Sequence, residues 1–256
     1  CLSEITRYLG YSATYHYTIM KNNPKDPYFK HFVEDIEQRY HIRVLLVDDY
    51  KEIQIILNEL NSRIRSKRVF VSGAFSSFTS EIEEYSHNLS RNLASSLLEN
   101  DYRIVNGIGR RFGTHLIGYA NEYLAKQGVK DIEKHLIVKP FVGNTQAAAE
   151  EKYRSRKKVI GQCGTAIFVF GEMSENSSAT KSGVMEEFEI ACEQHKTIIP
   201  IAYPGMVSEI IWEKVKGELT RYPYLEGRID LLTSVQSPEF LSQIIIHILD
   251  SVQESM

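Results

Sequence analysis

From Arg68 onward, short apolar runs alternate with longer segments in which apolar residues recur at helical spacing. Runs of this kind, rich in β-branched residues, suit strands that are buried on both faces of a parallel sheet. The five runs are VFVSG (69–73), RIVNG (103–107), LIVKPF (136–141), AIFVFG (166–171) and TIIPIA (197–202). Five strand–helix units in succession predict an α/β fold with a doubly wound, Rossmann-like parallel sheet over residues 68–256.

Residues 1–67 carry a separate pattern of the same kind. YHYTIM (15–20) and HIRVLLVD (41–48) each predict a strand, while 28–40 and 50–64 have the apolar spacing of helices. This strand–helix–strand–helix run starts in mid-pattern, so it predicts the C-terminal part of a second α/β domain. Because the sequence begins with Cys1 rather than Met, we expect a fragment or a processed product.

The composition excludes several classes of protein. A net charge of −3 argues against general nucleic-acid binding, which needs a basic excess to neutralise phosphates. No apolar run approaches the roughly 18 residues of a membrane span, and no signal peptide opens the chain. The three cysteines and eight histidines show no metal-ligand spacing, and no catalytic nucleophile arrangement stands out. We therefore expect no metal centre and a reducing, cytoplasmic setting.

Unusual residues stand at the carboxyl ends of four predicted strands, which is where a doubly wound sheet binds its ligands. These ends are Ser72-Gly73, Asn106-Gly107, Lys139-Pro140-Phe141 and Gly171. The loop after Asn106 holds Gly107, Gly109 and Gly113 around Arg110 and Arg111. Glycine lets a ligand approach backbone amides closely, a helix N-terminus favours an anion, and arginine binds phosphate. The stretch predicts a phosphate-binding loop, with a tight turn as the alternative, and it lacks the pattern of a standard dinucleotide site.

A second candidate region is the helical pattern SGVMEEFEIACEQ (182–194). Val184, Phe188 and Ala191 share one face of this helix, with Glu187 beside that face and Glu186 opposite it. Glu187 is placed to accept hydrogen bonds from ribose hydroxyls. The alternative is that an acidic residue in a first turn only satisfies the helix dipole.

The third region is a run of five cations between Lys152 and Lys158. Such a run is usually a solvated face, but here it precedes a strand that enters the same crevice. Periodicity places Arg156 nearer the buried stripe and Arg154 on its flank, so either could reach a bound phosphate.

The order of these motifs resembles the SLOG domain of the Thoeris antiphage effectors. The similarity covers residues 68–256 through VFVSGA, IVNGIGRRFGTHLIG, LIVKPF, KYRSR, AIFVFG, KSGVMEEF and IIPIA. Residues 1–67 look like the end of the sirtuin-like domain that precedes SLOG in that family. The resemblance implies that SLOG binds a cyclic ADP-ribose isomer made by a TIR-domain partner enzyme, and that the sirtuin-like domain then destroys NAD+.

Carried onto this sequence, the resemblance assigns the ligand arginine to Arg154 and the ribose-binding glutamate to Glu187. Where the family can place a ligand lysine, this chain has Met173, and Lys181 or Lys139 is the candidate substitute. The resemblance also implies a homo-oligomer, a tetramer, in the bacterial cytoplasm. The full set of candidate ligand-binding residues is Ser72, Gly73, Ala74, Asn106, Gly107, Ile108, Gly109, Arg111, Gly113, Lys139, Pro140, Phe141, Arg154, Arg156, Gly171, Lys181, Gly183, Val184 and Glu187.

Two departures from known patterns bear on catalysis. The glycine-rich NAD loop and the catalytic asparagine and histidine of the sirtuin-like domain are not in this sequence, so we expect a sensor without NAD+ hydrolase activity of its own. The competing interpretation is a LOG-type nucleotide phosphoribohydrolase. Enzymes of that type carry a PGGxGTxxE signature. At the corresponding position this sequence has TKSGVMEEF (180–188), without the proline, the paired glycines or the GT. A purely structural oligomerisation module is the third possibility.

Overall fold

The computed structural model describes residues 16–40, 42–76, 79–141, 146–173 and 182–254. The chain divides into two compact units, Cys1–Ser62 and Arg63–Met256. This division falls five residues before the boundary proposed from sequence, inside a helix, and the assignment of the first unit to a sirtuin-like domain stays a prediction. In the part of the chain that the structure describes, no helix is long and apolar enough to cross a membrane.

The described residues of the first unit form two parallel strands and the helices that follow them. Strand β1 (His16–Lys21) leads to helix α1 (Phe29–Tyr40), strand β2 (Ile42–Val47) and helix α2 (Tyr50–Ser66), whose end belongs to the second unit. The two strands pair in register from His16 with Ile42 to Lys21 with Val47. These four elements are those that the sequence pattern predicts.

The second unit contains a five-stranded parallel sheet, which confirms the predicted fold class. Its strands are β3 (Arg68–Ser72), β4 (Arg103–Asn106), β5 (Leu136–Val138), β6 (Thr165–Val169) and β7 (Thr197–Ile201). They lie in the order β5-β4-β3-β6-β7, and every residue of β6 is buried. Burial on both faces explains why these strands are continuous apolar runs rather than alternating patterns.

In the described residues of the second unit, six helices follow or flank these strands. They are α3 (Ser80–Glu99), α4 (Phe112–Lys126), α5 (Gln146–Ile160), α6 (Gly183–Glu193), α7 (Val207–Gly217) and α8 (Pro238–Glu254). Short 3-10 turns lie at Ile132–Lys134, Leu219–Arg221, Pro223–Leu225 and Ile229–Leu231. The apolar faces of α3, α4, α6 and α8 pack with the strands into one hydrophobic core.

The strand order fixes where a ligand can enter. From β3, at the centre, the chain runs outward through β4 and β5, then returns to the other side of β3 for β6 and β7. The carboxyl ends of β3 and β6 are therefore the topological switch point, where a doubly wound sheet binds its ligands. The loops that follow these two strands are joined there by a hydrogen bond from the Gly171 amide to the Ala74 carbonyl at 3.0 Å. Ser72, Gly73 and Gly171 lie at this point.

Candidate functional site

The glycine-rich loop after β4 is tied to the sheet by the side chain of Asn106. This buried amide donates from Nδ2 to the carbonyl of Val71 at 2.8 Å, and its Oδ1 accepts from the amide of Ile108 at 2.7 Å. An asparagine that bonds across to a neighbouring strand holds the start of the loop in one conformation. Its position at a strand end therefore has a structural role in addition to any contact with a ligand.

The glycines of this loop are required by close contacts between loops. A Cβ on Gly109 would lie 2.0 Å from the carbonyl oxygen of Gly73, and a Cβ on Gly107 would lie 2.2 Å from the ring of Phe141. A Cβ on Gly73 would lie 2.7 Å from the carbonyl oxygen of Val169. Loop packing alone accounts for these three glycines, so the phosphate-binding role of the loop stays a prediction.

Backbone strain concentrates at the same edge of the sheet. Ile108 and Arg111 both have φ of 57°, and Phe170 and Gly171 have φ of 58° and 96°. A residue with a side chain in this region costs on the order of 1–3 kcal/mol, and such strain persists where the surrounding structure enforces it, often at binding sites. These residues follow β4 and β6, the two strands that flank β3 in the sheet.

A buried polar cluster joins α5 and α6 to the end of β3. The Ser72 hydroxyl donates to Glu187 Oε2 at 2.5 Å, and Arg156 Nε donates to Glu187 Oε1 at 3.0 Å. Arg156 and Glu187 are each only 8% exposed, and the Arg156 guanidinium lies 5.4 Å from the centre of the Phe141 ring. The cluster places an arginine, a carboxylate and a hydroxyl together at the carboxyl end of β3.

The electrostatics of Glu187 follow from its burial. Burial raises the pKa of this carboxyl above its ordinary value, while Arg156 and the Ser72 hydroxyl act in the opposite direction. A buried carboxylate with these two partners is an acceptor whose lone pairs are held in fixed directions. It is suited to bind hydroxyl groups.

The two candidate arginines occupy different environments. The side chain of Arg154 is 77% exposed and pairs with Glu150 at 3.2 Å on the outer face of α5. Arg156 faces inward, as helical periodicity indicates. The position of Arg154, which the resemblance favours, lies outside the polar cluster in this structure.

Glu186 lies off the buried face of α6, as helical periodicity predicts, but it is not separate from the polar cluster. Its carboxylate contacts Arg156 Nη1, although its side chain is 34% exposed. Helical periodicity places Glu186 opposite the apolar stripe of α6. It does not indicate that the long side chain of Arg156 reaches this glutamate from α5. Arg156 is therefore held by two carboxylates.

The remaining candidates surround this cluster at various depths. Arg111 contacts Glu83 at 3.3 Å and Arg110 donates to the Ser76 hydroxyl at 3.1 Å. The Ala74 carbonyl accepts from the Gly171 amide at 3.0 Å, and the Lys139 amide donates to the Asn106 carbonyl at 2.9 Å. Lys139, Pro140 and Met173 are exposed. Gly113 lies against the glycine-rich loop, Gly183 against Arg156, and Val184 against Gly171. Lys181 lies outside the described residues.

The sequence shows no metal-ligand spacing, yet the fold brings three potential metal ligands together. Glu83, His87 and His115 bring potential ligand atoms within 4.8 Å of one another. Only the i, i+4 spacing of Glu83 and His87 is a local signal, because His115 comes from the next helix.

The comparisons with known proteins agree with this architecture. The profile of the Sir2- and TIR-associating SLOG family (STALD) matches residues 52–252. The chain is 30% identical over 215 residues to the protein named NAD(+) hydrolase ThsA of Bacillus cereus (strain MSX-D12), covering 82% of this chain and 44% of the relative. It is 30% identical over 191 residues to the protein of the same name from Enterococcus faecium, covering 72% and 38%. The chain thus spans less than half the length of these relatives.

Proposed function

The chain belongs to the Sir2- and TIR-associating SLOG family, and on this premise we propose that it is the sensing part of a Thoeris-type antiviral effector. Its second unit binds a cyclic ADP-ribose isomer, which a TIR-domain partner enzyme produces. Binding activates NAD+ hydrolysis by a sirtuin-like domain, of which residues 1–67 form the C-terminal end. The name NAD(+) hydrolase carried by the relatives supports the last step.

The observation that carries the proposal is the buried cluster of Ser72, Arg156 and Glu187 at the switch point. A guanidinium offers forked donors to a pyrophosphate, and a carboxylate accepts hydrogen bonds from ribose hydroxyls. A cyclic ADP-ribose isomer carries both groups on one compact ligand. The cluster offers a partner to each.

Calorimetry on the purified chain tests this proposal. Cyclic ADP-ribose isomers are expected to bind more tightly than NAD+ or AMP, because a compact ligand can place phosphate and ribose in the crevice together. Equal, weak binding of all these nucleotides would overturn the proposal.

Two matched variants of α5 locate the ligand arginine. Arg156→Lys, which keeps the charge but loses the fork, is expected to weaken binding by about 10- to 150-fold, the equivalent of roughly 1.5–3 kcal/mol for a charge-assisted contact. Arg154→Lys is the control on the same helix and should bind within about threefold of the parent, as an exposed pair contributes little. Loss of binding in Arg154→Lys alone would place the ligand where the resemblance puts it and refute the role of the buried cluster.

A LOG-type phosphoribohydrolase is the second candidate function, because that reaction class also uses an arginine and a glutamate. The buried Glu187, with its raised pKa, is the observation that favours it. We expect no release of free base from nucleoside monophosphates, and none of nicotinamide from NAD+, since the signature residues of both enzymes are missing. Base release above a blank, abolished by Glu187→Gln, would establish the hydrolase instead.

The assembly and setting of the protein follow the same proposal. A tetramer in the bacterial cytoplasm would couple several sensing units to the hydrolase domains. Sedimentation of the chain with and without the cyclic nucleotide measures this, and a monomer under both conditions would contradict it.

A further inference from the structure

Three potential metal ligands converge between the N-terminal turns of α3 and α4. Glu83 and His87 are one turn apart on α3, and His115 lies in the first turn of α4. Glu83 Oε1 lies 3.7 Å from His87 Nε2 and 3.4 Å from His115 Nε2. Around a tetrahedral ion with bonds of roughly 2.0–2.1 Å, ligand atoms lie about 3.4 Å apart, so both separations are close to those of a bound ion.

The outer nitrogens of both imidazoles are held by hydroxyl groups. His115 Nδ1 hydrogen-bonds with the Ser86 hydroxyl at 3.0 Å, and His87 Nδ1 hydrogen-bonds with the Tyr119 hydroxyl at 3.1 Å. Metal-ligating histidines typically donate the second ring N–H to a carboxylate, a backbone carbonyl or water, which fixes the direction of the first nitrogen, and a hydroxyl oxygen can accept in the same way. Here both Nε2 atoms are directed towards the Glu83 carboxylate.

We propose that Glu83, His87 and His115 form a binding site for a divalent transition metal ion of the zinc type. Imidazole nitrogens and a carboxylate oxygen are a donor set that zinc accepts, and they leave one tetrahedral position for water. The two imidazole rings stack at 3.8 Å with an angle of 20° between their planes. We expect a bound ion to tilt both rings towards it and to break this stack.

Arg111 competes with the metal for Glu83. Its Nη1 lies 3.3 Å from Glu83 Oε1, the same oxygen that faces the two histidines. A cation bound there repels the guanidinium and takes its partner. Because Arg111 precedes α4 in the glycine-rich loop, the metal site and that loop share one residue.

Zinc titration of the full chain after removal of metals with a chelator tests the proposal. The parent is expected to bind one Zn2+ ion at this site and to gain thermal stability from it. His87→Gln and His115→Gln are each expected to lose at least about tenfold in affinity, since even residues that only support a ligand cost 10–100-fold. His247→Gln, which removes an exposed histidine of α8, is the control and should bind like the parent.

Two further variants separate metal binding from folding. Glu83→Gln retains the shape of the side chain but weakens a ligand, whereas Arg111→Gln removes the competitor and is expected to bind Zn2+ more tightly. Unchanged affinity in His87→Gln, His115→Gln and Glu83→Gln, all with thermal unfolding like that of the parent, would overturn the proposal. If a histidine variant does not fold, Arg111→Gln decides alone: tighter binding supports the site, and weaker or equal binding refutes it.

Discussion

Replacing Arg156 by Met should destabilise the second unit through the charge that it leaves behind. Arg156 donates to Glu187 at 3.0 Å, and the two side chains are only 9% and 10% exposed. Removing one partner of a buried ion pair typically costs about 3–5 kcal/mol, because the other charge stays buried without compensation. Ser72 remains as a donor to Glu187, so we expect the lower end of that range. Glu186, at 34% exposure, can turn to water.

The loss of unfolding free energy in Arg156→Met should increase with pH, because Glu187 is buried. Burial raises the pKa of this carboxyl, and loss of Arg156 removes the first of the influences that lower it. A carboxyl whose pKa is raised on folding contributes its stability below the unfolded pKa of about 4.3 and loses it as pH rises through the folded pKa. The penalty is therefore smallest at low pH and grows as pH rises through the folded pKa, by at most about 1.4 kcal/mol per pH unit.

Urea unfolding between about pH 5 and pH 8 measures this effect. The single tryptophan, Trp212, donates to the Ile229 carbonyl at 2.8 Å in the second unit and reports its unfolding by fluorescence. Glu187→Gln in the Arg156→Met background should recover about 1–3 kcal/mol at pH 8, because a neutral amide avoids the cost of a buried charge. Arg154→Met, the exposed control, should cost about 0.5 kcal/mol or less. A penalty equal at both ends of the pH range, or no recovery in the double variant, would refute the reasoning.

Two other predictions follow from close packing and burial. Gly109→Ala should destabilise by about 1–3 kcal/mol or more, because its Cβ would meet the Gly73 carbonyl oxygen at 2.0 Å. Gly118→Ala, in α4 with nothing within 4 Å of the new methyl group, should instead stabilise by up to about 1 kcal/mol. Urea unfolding of the two variants measures the difference, and equal effects on the unfolding free energy would contradict the packing argument. Burial raises the pKa of Cys163 to about 12, so at pH 8 only about one thiol in 10,000 is ionised and alkylation should require unfolding. Rapid labelling of Cys163 in the folded protein, detected by peptide mass spectrometry, would show that the thiol is accessible.

The parallel sheet was predictable because burial on both faces leaves a strong mark on sequence. A strand such as Thr165–Val169, with all of its residues buried, has no solvent face on which polar residues could alternate. The run AIFVFG is then too short for a core helix and too apolar for a loop. Each of the five predicted strands overlaps one strand of the sheet.

The candidate site was predictable only in part. Residues at the carboxyl ends of strands can be found from the predicted topology, but side-chain contacts between two helices cannot. Ser72 and Asn106 were found because ligands bind at carboxyl ends, and the inward position of Arg156 follows from periodicity. The contact of Arg156 with Glu186 depends on how closely α5 and α6 pack, and their sequence separation of 30 residues says nothing about that distance. The same holds for His115, which meets Glu83 and His87 from another helix.

The glycine-rich loop shows why residue type alone does not identify a ligand site. Glycine indicates a close approach to the backbone, but the approaching group can be a phosphate or another loop. Here the approaching groups are the Gly73 carbonyl and the Phe141 ring. The sequence therefore indicates that some group lies close to the backbone, but not which group it is.

The pairing of Arg156 with two carboxylates bears on which ligands the crevice can accept. A simple anion that draws Arg156 away from Glu187 leaves that carboxylate buried with only the Ser72 hydroxyl at 2.5 Å, which costs much of what the anion contributes. A ligand that carries hydroxyl donors beside its phosphates compensates Glu187 while it occupies Arg156. On the proposed function, the carboxylates therefore act as a filter: they disfavour free phosphate, and they favour a nucleotide whose ribose and pyrophosphate reach the cluster together.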